Sequence, residues 1–290
     1  MTFFRNARTG FGHRSQIPMT EDAMRRIAPS IFAETAHESR SARYTYIPTI
    51  EILRGLMREG FQPMAVAQGR TRVEGKAEFT KHMIKLRRVT DLTAIGQEVP
   101  EISLINSHDG TSSYEFIAGY LRLACLNGLL VSSSVMESVK VAHKGDVLDN
   151  VIEGAFTVVN NYERANVSKE SMKAITLDSN EQRVFASAAL TARFGTAEER
   201  TDSETGRVTP IPMTTEQALR VVRREDTGAD LWTTFNRVQE TLVNGGVRHA
   251  QVTATGRRNR TRAVTGISQN VSLNRALWEL AEGMRQIKAA

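Results

Sequence analysis

The chain has 290 residues, 40% of them apolar, with 38 Lys and Arg against 32 Asp and Glu, a net charge of +6 and a pI of about 9.7. That length suits one large domain or two small ones with a real core. The single cysteine, Cys125, excludes an intramolecular disulfide and a zinc ribbon. The basic balance points to an anionic partner, with nucleic acid first.

The first residues, MTFFRNARTGFGHRSQIP, lack the apolar stretch of a secretory signal, and no run approaches 18 apolar residues. A cytoplasmic protein without a membrane partner is therefore expected. The N-terminus reads as a loose arm. Its Arg5, Arg8, His13 and Arg14, with Phe3, Phe4 and Phe11, are also suited to clasping a partner chain or a phosphate backbone. Thr20 to Ala28 has helical spacing at Met24 and Ile27, and Pro29 ends it. Tyr44 to Ile47 has strand composition. Pro48 and Thr49 then open a helix over 50–59, with Ile50, Leu53, Leu56 and Met57 on one face and Gly60 past its end. Phe61 to Ala67 is β-like.

From Gly69 to Arg88 basic residues are frequent. His82, Ile84 and Leu86 alternate with Lys81, Met83, Lys85 and Arg87. That alternation predicts a strand with a basic stripe on one face. The stripe is either a contact surface, with Lys81, Lys85, Arg87 and Arg88 on phosphates, or an ordinary solvated edge strand.

Glu101 to Val131 mixes apolar residues with a dense set of uncommon polar ones. It predicts a strand over 101–106, a turn at His108-Asp109-Gly110, and a second buried segment ending at Asn127-Gly128. Asn106, His108, Asp109, Arg122 and Asn127 sit beside turns in an apolar frame. Buried polar groups there must find partners, so the stretch reads first as a scaffold. His108-Asp109 is also compatible with a metal-dependent hydrolase that adds His143 and Asp146 through tertiary geometry. No metal ligand set is assigned, and Cys125, in an apolar run, reads as a small buried residue rather than a nucleophile.

Val139 to Asn150 offers a strand, a turn and a helix start capped by Asp146. An apolar stripe follows from Val147 to Val159. Ser168 to Ile175 predicts another helical turn or two, and Ser179 with Gln182 has capping-box spacing. Residues 195–213 are polar and read as a linker or mobile loop. Thr214 and Gln217 again have capping-box spacing. Asp230 to Asn244 is a strong helix stopped by Gly245-Gly246, and Ser272 to Ile287 closes the chain as another. Trp232 and Trp278 fall on apolar helix faces and read as core.

Between Glu240 and Glu279 there is no acidic residue, but there are six arginines: Arg248, Arg257, Arg258, Arg260, Arg262 and Arg275. GRRNRTR predicts a hairpin tip or loop. Arg forks match phosphate geometry, so the segment is a candidate for salt-dependent nucleic-acid binding. The alternatives are a solvated hairpin or a dock for an acidic protein. Tyr44, Tyr46, Tyr114 and Tyr120 are candidates for base stacking. There is no phosphate-binding Gly-Lys loop and no dinucleotide fingerprint, so no nucleotide cofactor is expected.

These readings give an α+β fold, a mostly antiparallel sheet packed by helices, in a single large domain with a mobile basic loop. The expected segments are an arm and short helix (1–40), an α+β core (41–194), a linker (195–213), and C-terminal helices with the arginine hairpin packing on the core (214–290).

HESRSARYTYIPT, EGFQP, KHMIKLRR, EVPEISLINSHDGTSSYE, RLACLNGL, HKGD, DLWTTFNRVQE, TRAVTGI and LNRALW, in this order, resemble the phage- and plasmid-borne family catalogued as domain of unknown function 932. The resemblance covers roughly residues 36–284. It implies residence on a mobile element in the bacterial cytoplasm and supplies no reaction and no catalytic residues. By analogy of size, charge and context with single-strand annealing recombinases, the expected activity is ATP-independent, non-enzymatic binding or annealing of single-stranded DNA, in recombination or replication, by a homo-oligomer. The alternative is an anti-defence protein that blocks a host nuclease or surveillance complex.

Overall fold

The computed structural model describes residues 13–15, 17–35, 46–91, 98–122, 127–130, 138–141, 147–160, 162–251 and 259–289. The fold class is α+β, an antiparallel sheet packed by helices. By contact, the chain divides into two compact units, residues 1–163 with 265–268, and 164–264 with 269–290.

The first unit is the sheet. Its strands are β1 (His13–Arg14), β2 (Phe61–Gln68), β3 (His82–Arg88), β4 (Glu98–Asn106), β5 (Tyr114–Arg122), β6 (Asn127–Leu130) and β7 (Val139–Val141). They run in the order β1-β2-β3-β4-β5-β6, with β7 also on β5, and every pairing is antiparallel. Pro63 lies inside β2 where the ladder shifts register between Pro63 and Ala65. A bulge is where a strand tolerates a residue without an N–H.

Helices α1 (Glu21–Ile27), α2 (Thr49–Arg58) and α3 (Val147–Asn160) supply the apolar stripes that the strand spacing needs to cover one face. Met24 from α1, Ile52, Leu53 and Leu56 from α2, and Val147, Val151, Ala155 and Val158 from α3 join one core. They meet Val66, Ile84, Leu86, Ile102, Leu104, Tyr114 and Phe116 of the sheet. Thr20 caps α1, its hydroxyl accepting from Ala23 N.

Two details differ from expectation here. β3 is an interior strand between β2 and β4, not an edge, and it is buried on both faces apart from its last residue. Tyr46 and Ile47 form no strand; instead the Tyr46 hydroxyl donates to Ala33 O. Asp146, the expected cap of α3, lies outside the described residues, as do Tyr44, Cys125 and His143.

The second unit is helical. It holds most of α4 (Tyr162–Ala174), α5 (Ser179–Phe194), α6 (Thr215–Ala218), α7 (Leu231–Asn244) and most of α8 (Ile267–Ala289). Its core is aromatic. Trp232 and Phe235 stack at 5.5 Å, and Trp278 meets both edge-on at 6.3 and 6.1 Å. Both tryptophans are buried, as the helical spacing required. Asp230 caps α7 by accepting from Thr233 N, and Thr214 with Gln217 forms the expected capping box. The box on α5 is set one residue earlier than its sequence spacing suggested, on Asp178 and Glu181, whose carboxylates bond the free N–H groups more strongly than Ser179 and Gln182 would. Within 195–213 a short antiparallel contact joins Thr201 to Val208.

Candidate functional site

Three polar constellations stand out. Two follow from the register of the sheet, because residues of opposite parity on one strand face opposite ways. Gln68, His82 and Asn106 form one cross-strand row on the face that carries the apolar core. Arg14, Ala65, Lys85 and Ser103 form a row on the other face.

The first row meets Ser30, Thr49 and His108 in a buried network. Thr49 Oγ1 lies 2.9 Å from His82 Nε2, 3.1 Å from His108 Nε2 and 3.0 Å from Asn106 Nδ2. One hydroxyl has one proton and two lone pairs. It accepts from the Asn106 amide and has one donor and one acceptor place left for the two imidazoles. His82 Nδ1 is within reach of Thr80 O at 3.2 Å and Ser30 Oγ at 2.9 Å. Ser30 Oγ in turn donates to Gln68 Oε1 at 2.9 Å. The carbonyl can only accept, so His82 carries its proton on Nδ1 and accepts from Thr49 at Nε2. His108 therefore donates to Thr49 through Nε2–H. The bonding pattern thus assigns both tautomers. Burial, with the neighbouring His108, pushes the His82 imidazole down to about 3, so it is neutral near pH 7.

Asp109 takes no part. Its Oδ1 accepts from Thr111 N at 3.0 Å and Thr111 Oγ1 at 2.7 Å, closing its own turn, and Gly110 supplies the left-handed φ of 77°. These bonds hold the Asp109 carboxyl below its usual range against the opposing effect of burial. The His108 ring turns instead to Tyr46, at 5.1 Å between centroids, and to His82, at 5.3 Å. His108 and Asp109 are not brought together as a ligand pair. Among the described residues no three His, Cys, Asp or Glu side chains converge to hold a metal.

The second row is organised by Glu101. Arg14 binds it with two forks, Nη1 to Oε1 at 2.5 Å and Nη2 to Oε2 at 3.1 Å. Arg87 reaches Oε1 through Nε at 3.0 Å and Nη2 at 2.9 Å, and Lys85 Nζ lies 3.9 Å from Oε2. Burial works to raise the Glu101 carboxyl, but the surrounding cations win and hold it at about 2. Burial lowers the Lys85 ammonium to about 8, against the pull of Glu101. Lys85 and Arg87 are only 4% and 6% exposed. They therefore form no open stripe. The expected phosphate contacts at these two positions are replaced by a buried carboxylate. Lys81 Nζ donates to Ser268 Oγ at 3.0 Å, and Arg88 sits half-buried at the end of β3. The candidate stacking residues Tyr114 and Tyr120 are also buried. Arg122 and Asn127 are cross-strand partners in the β5–β6 ladder.

The third constellation lies in the second unit. Residues 246–249 and 259–261 form a short two-stranded ribbon. Gly246 N donates to Thr261 O, Thr261 N to Val247 O and His249 N to Asn259 O, each at 2.8 Å. Gly245 makes the ribbon possible. It has φ 61°, and a Cβ there would fall 2.7 Å from the carbonyl carbon of Arg262. Arg248 and Arg260 are directly opposed across the ribbon. Arg248, Arg260 and Arg262 are exposed, and among the described residues none has a carboxylate partner. The Arg260 guanidinium reaches Gly246 O at 2.6 Å, and Arg193 Nη2 reaches Arg262 O at 3.3 Å. Burial holds Arg193 below its usual range, and its Nε is buried without an acceptor. Arg257 and Arg258 lie outside the described residues.

The arginine segment is marked in the sequence, but the buried pairing of Arg14 with Glu101 and of Ser30 and Thr49 with His82 is not. The available signal was charge on both parities of a strand otherwise made of Ile, Leu and Met, which an edge strand does not require.

No helix among the described residues is long and apolar enough to cross a membrane. No solved structure matches the chain. Two Escherichia coli (strain K12) proteins are similar to it over nearly their whole length. The UPF0380 protein YafZ is 46% identical over 271 residues, 93% of each chain. The UPF0380 protein YfjQ is 46% identical over 269 residues, 93% of this chain and 92% of that protein. The family model described as a domain of unknown function, DUF932, matches residues 36–278, and the chain belongs to that family.

Proposed function

We propose that this chain is a nucleic-acid-binding protein of a phage or plasmid, acting in the bacterial cytoplasm on single-stranded DNA during annealing, recombination or replication, as a homo-oligomer and without ATP. The observation that carries this reading is the ribbon, where Arg248 and Arg260 oppose each other, exposed and without a carboxylate partner. Like charges directly opposite on a ladder destabilise it. An arrangement of that kind gains when an anion bridges the two forks, and a phosphate backbone offers anions at regular spacing. The acid-free flanks, with Arg262 beside the ribbon and Arg257 and Arg258 between its strands in sequence, extend the same charge. The stacking part of the expectation is weaker, since Tyr114 and Tyr120 are buried. The reading therefore rests on backbone contacts and predicts little base preference.

The test is a titration of labelled single strands and duplex across a salt series, with the mass of the complex measured. The parent should bind single strands with affinity that falls steeply as salt rises. A variant with Arg248, Arg260 and Arg262 all changed to Ala should bind more weakly. Its log–log salt slope should be shallower by about 2, at roughly 0.7 per lost phosphate contact on single strands. Equal binding by parent and variant at every salt concentration would remove the ribbon from the function.

A further inference from the structure

A different feature, confined to the first unit, points to a small-molecule site. Where β2 begins and β3 ends, the sheet, Val159 and Tyr162 leave a cavity of about 150 Å³. Phe61, Leu86, Pro100, Ile102, Val159 and Tyr162 line it, and Arg88 stands among them. We propose that this cavity binds a small organic monoanion with an apolar body, of the aromatic or branched-chain carboxylate class, with its carboxylate on Arg88.

The register explains why a charge is there. Arg88 pairs with Phe61 and shares the parity of His82, Ile84 and Leu86, so it belongs to the face that carries the apolar core. It is the one cation of β3 on that face, whereas Lys85 and Arg87 face the other way and are committed to Glu101. Among the described residues Arg88 has neither a carboxylate partner nor a side-chain hydrogen bond. The Tyr162 hydroxyl is already used, donating to Glu101 O and accepting from Gly119 N at 3.3 Å. Among the residues that line the cavity, Arg88 is the one that carries a charge.

Size and polarity then select the ligand. A cavity near 150 Å³ lined by Leu, Ile and Phe is large enough for a benzene-sized body. An apolar wall gives a nucleobase no partners for its ring nitrogens and carbonyls, and burying those unpaired is costly. One planar fork matches a carboxylate in two parallel bonds. An inorganic phosphate satisfies the fork but leaves the apolar walls empty.

The experiment uses the full chain and three probes, benzoate, benzyl alcohol and inorganic phosphate, followed by calorimetry or ligand-observed NMR. The parent should bind benzoate more tightly than benzyl alcohol and should not bind phosphate comparably. Arg88→Leu should weaken benzoate at least tenfold, the loss expected for a charge-assisted pair, and leave benzyl alcohol within twofold. Val159→Trp, which fills the cavity, should abolish both. A thermal melt of each variant confirms that it is folded, and Val159→Phe replaces the Trp variant if that one is not. No benzoate binding by the parent, phosphate binding as tight as benzoate, an unchanged benzoate affinity in Arg88→Leu, or full binding by a folded filled-cavity variant would each overturn the assignment.

Discussion

The strand 82–88 and the ribbon around 248 and 260 begin from the same residue chemistry and end in opposite environments. In β3, Lys85 and Arg87 are buried and held by Glu101. In the ribbon, Arg248 and Arg260 oppose each other in solvent with no acid between them. The difference teaches that local basicity says little about accessibility. A cation buried within an interior strand, as Lys85 and Arg87 are, must find a carboxylate, because an uncompensated buried charge is prohibitive. A cation on a narrow two-stranded ribbon meets no such demand and is left available to a partner. The first arrangement therefore serves stability, and the second is the one on which the proposed nucleic-acid contact rests.

The sharpest way to break that contrast is Glu101→Gln. It keeps the shape but removes the charge that compensates Arg14, Lys85 and Arg87. Breaking a buried ion cluster from one side costs about 3–5 kcal/mol, which denaturant unfolding should register as a large fall in midpoint. A change within error would mean that the cations do not depend on Glu101.

Next in size is Thr49→Val, which removes a hydroxyl with three partners while keeping its volume. It leaves His82 Nε2, His108 Nε2–H and Asn106 Nδ2–H without that partner, at a cost of about 3 kcal/mol. Acid should attack the same region. His82 is depressed from 6.5 to about 3 in the folded chain, so the unfolded chain binds more protons in that window. Stability is fully present above pH 6.5 and is lost as pH falls through it toward 3. Glu101, lowered from 4.5 to about 2, adds a loss in the same direction below pH 4.5. In His82→Asn the loss between pH 6.5 and 4.5 should flatten while the lower part remains.

The smallest stability effect belongs to the ribbon. Arg248→Ala with Arg260→Ala removes an opposed like-charge pair and should leave stability within about 0.5 kcal/mol of the parent, or slightly above it. Gly245→Ala, in contrast, needs a Cβ 2.7 Å from backbone at φ 61° and should cost about 1–3 kcal/mol. Equal stability losses in both variants would show that the arginines are structural and would dissolve the contrast.

The α+β class, the apolar faces of α2 and α7, the turn at Gly110, the capping box of Thr214 and Gln217 and the core role of Trp232 and Trp278 were legible in the sequence. Each depends on residues within one or two turns of helix or one step of strand, so spacing alone carries the information. The arginine segment was legible for the same reason, since GRRNRTR opens on a glycine and no acid lies between Glu240 and Glu279. The place of β3 in the sheet was not. Whether an alternating basic strand is an edge or an interior strand depends on which strands pair with it, and those come from residues 61–68 and 98–106. The meeting of Glu101 with Arg14, 87 positions apart, and of Thr49 with His108, 59 apart, follows from that pairing. Sequence determined which segments would be strand, helix and turn. Tertiary structure decided which of their charges would be buried with a partner and which would be left in solvent, because burial is set by what packs on a face and not by the residues along it.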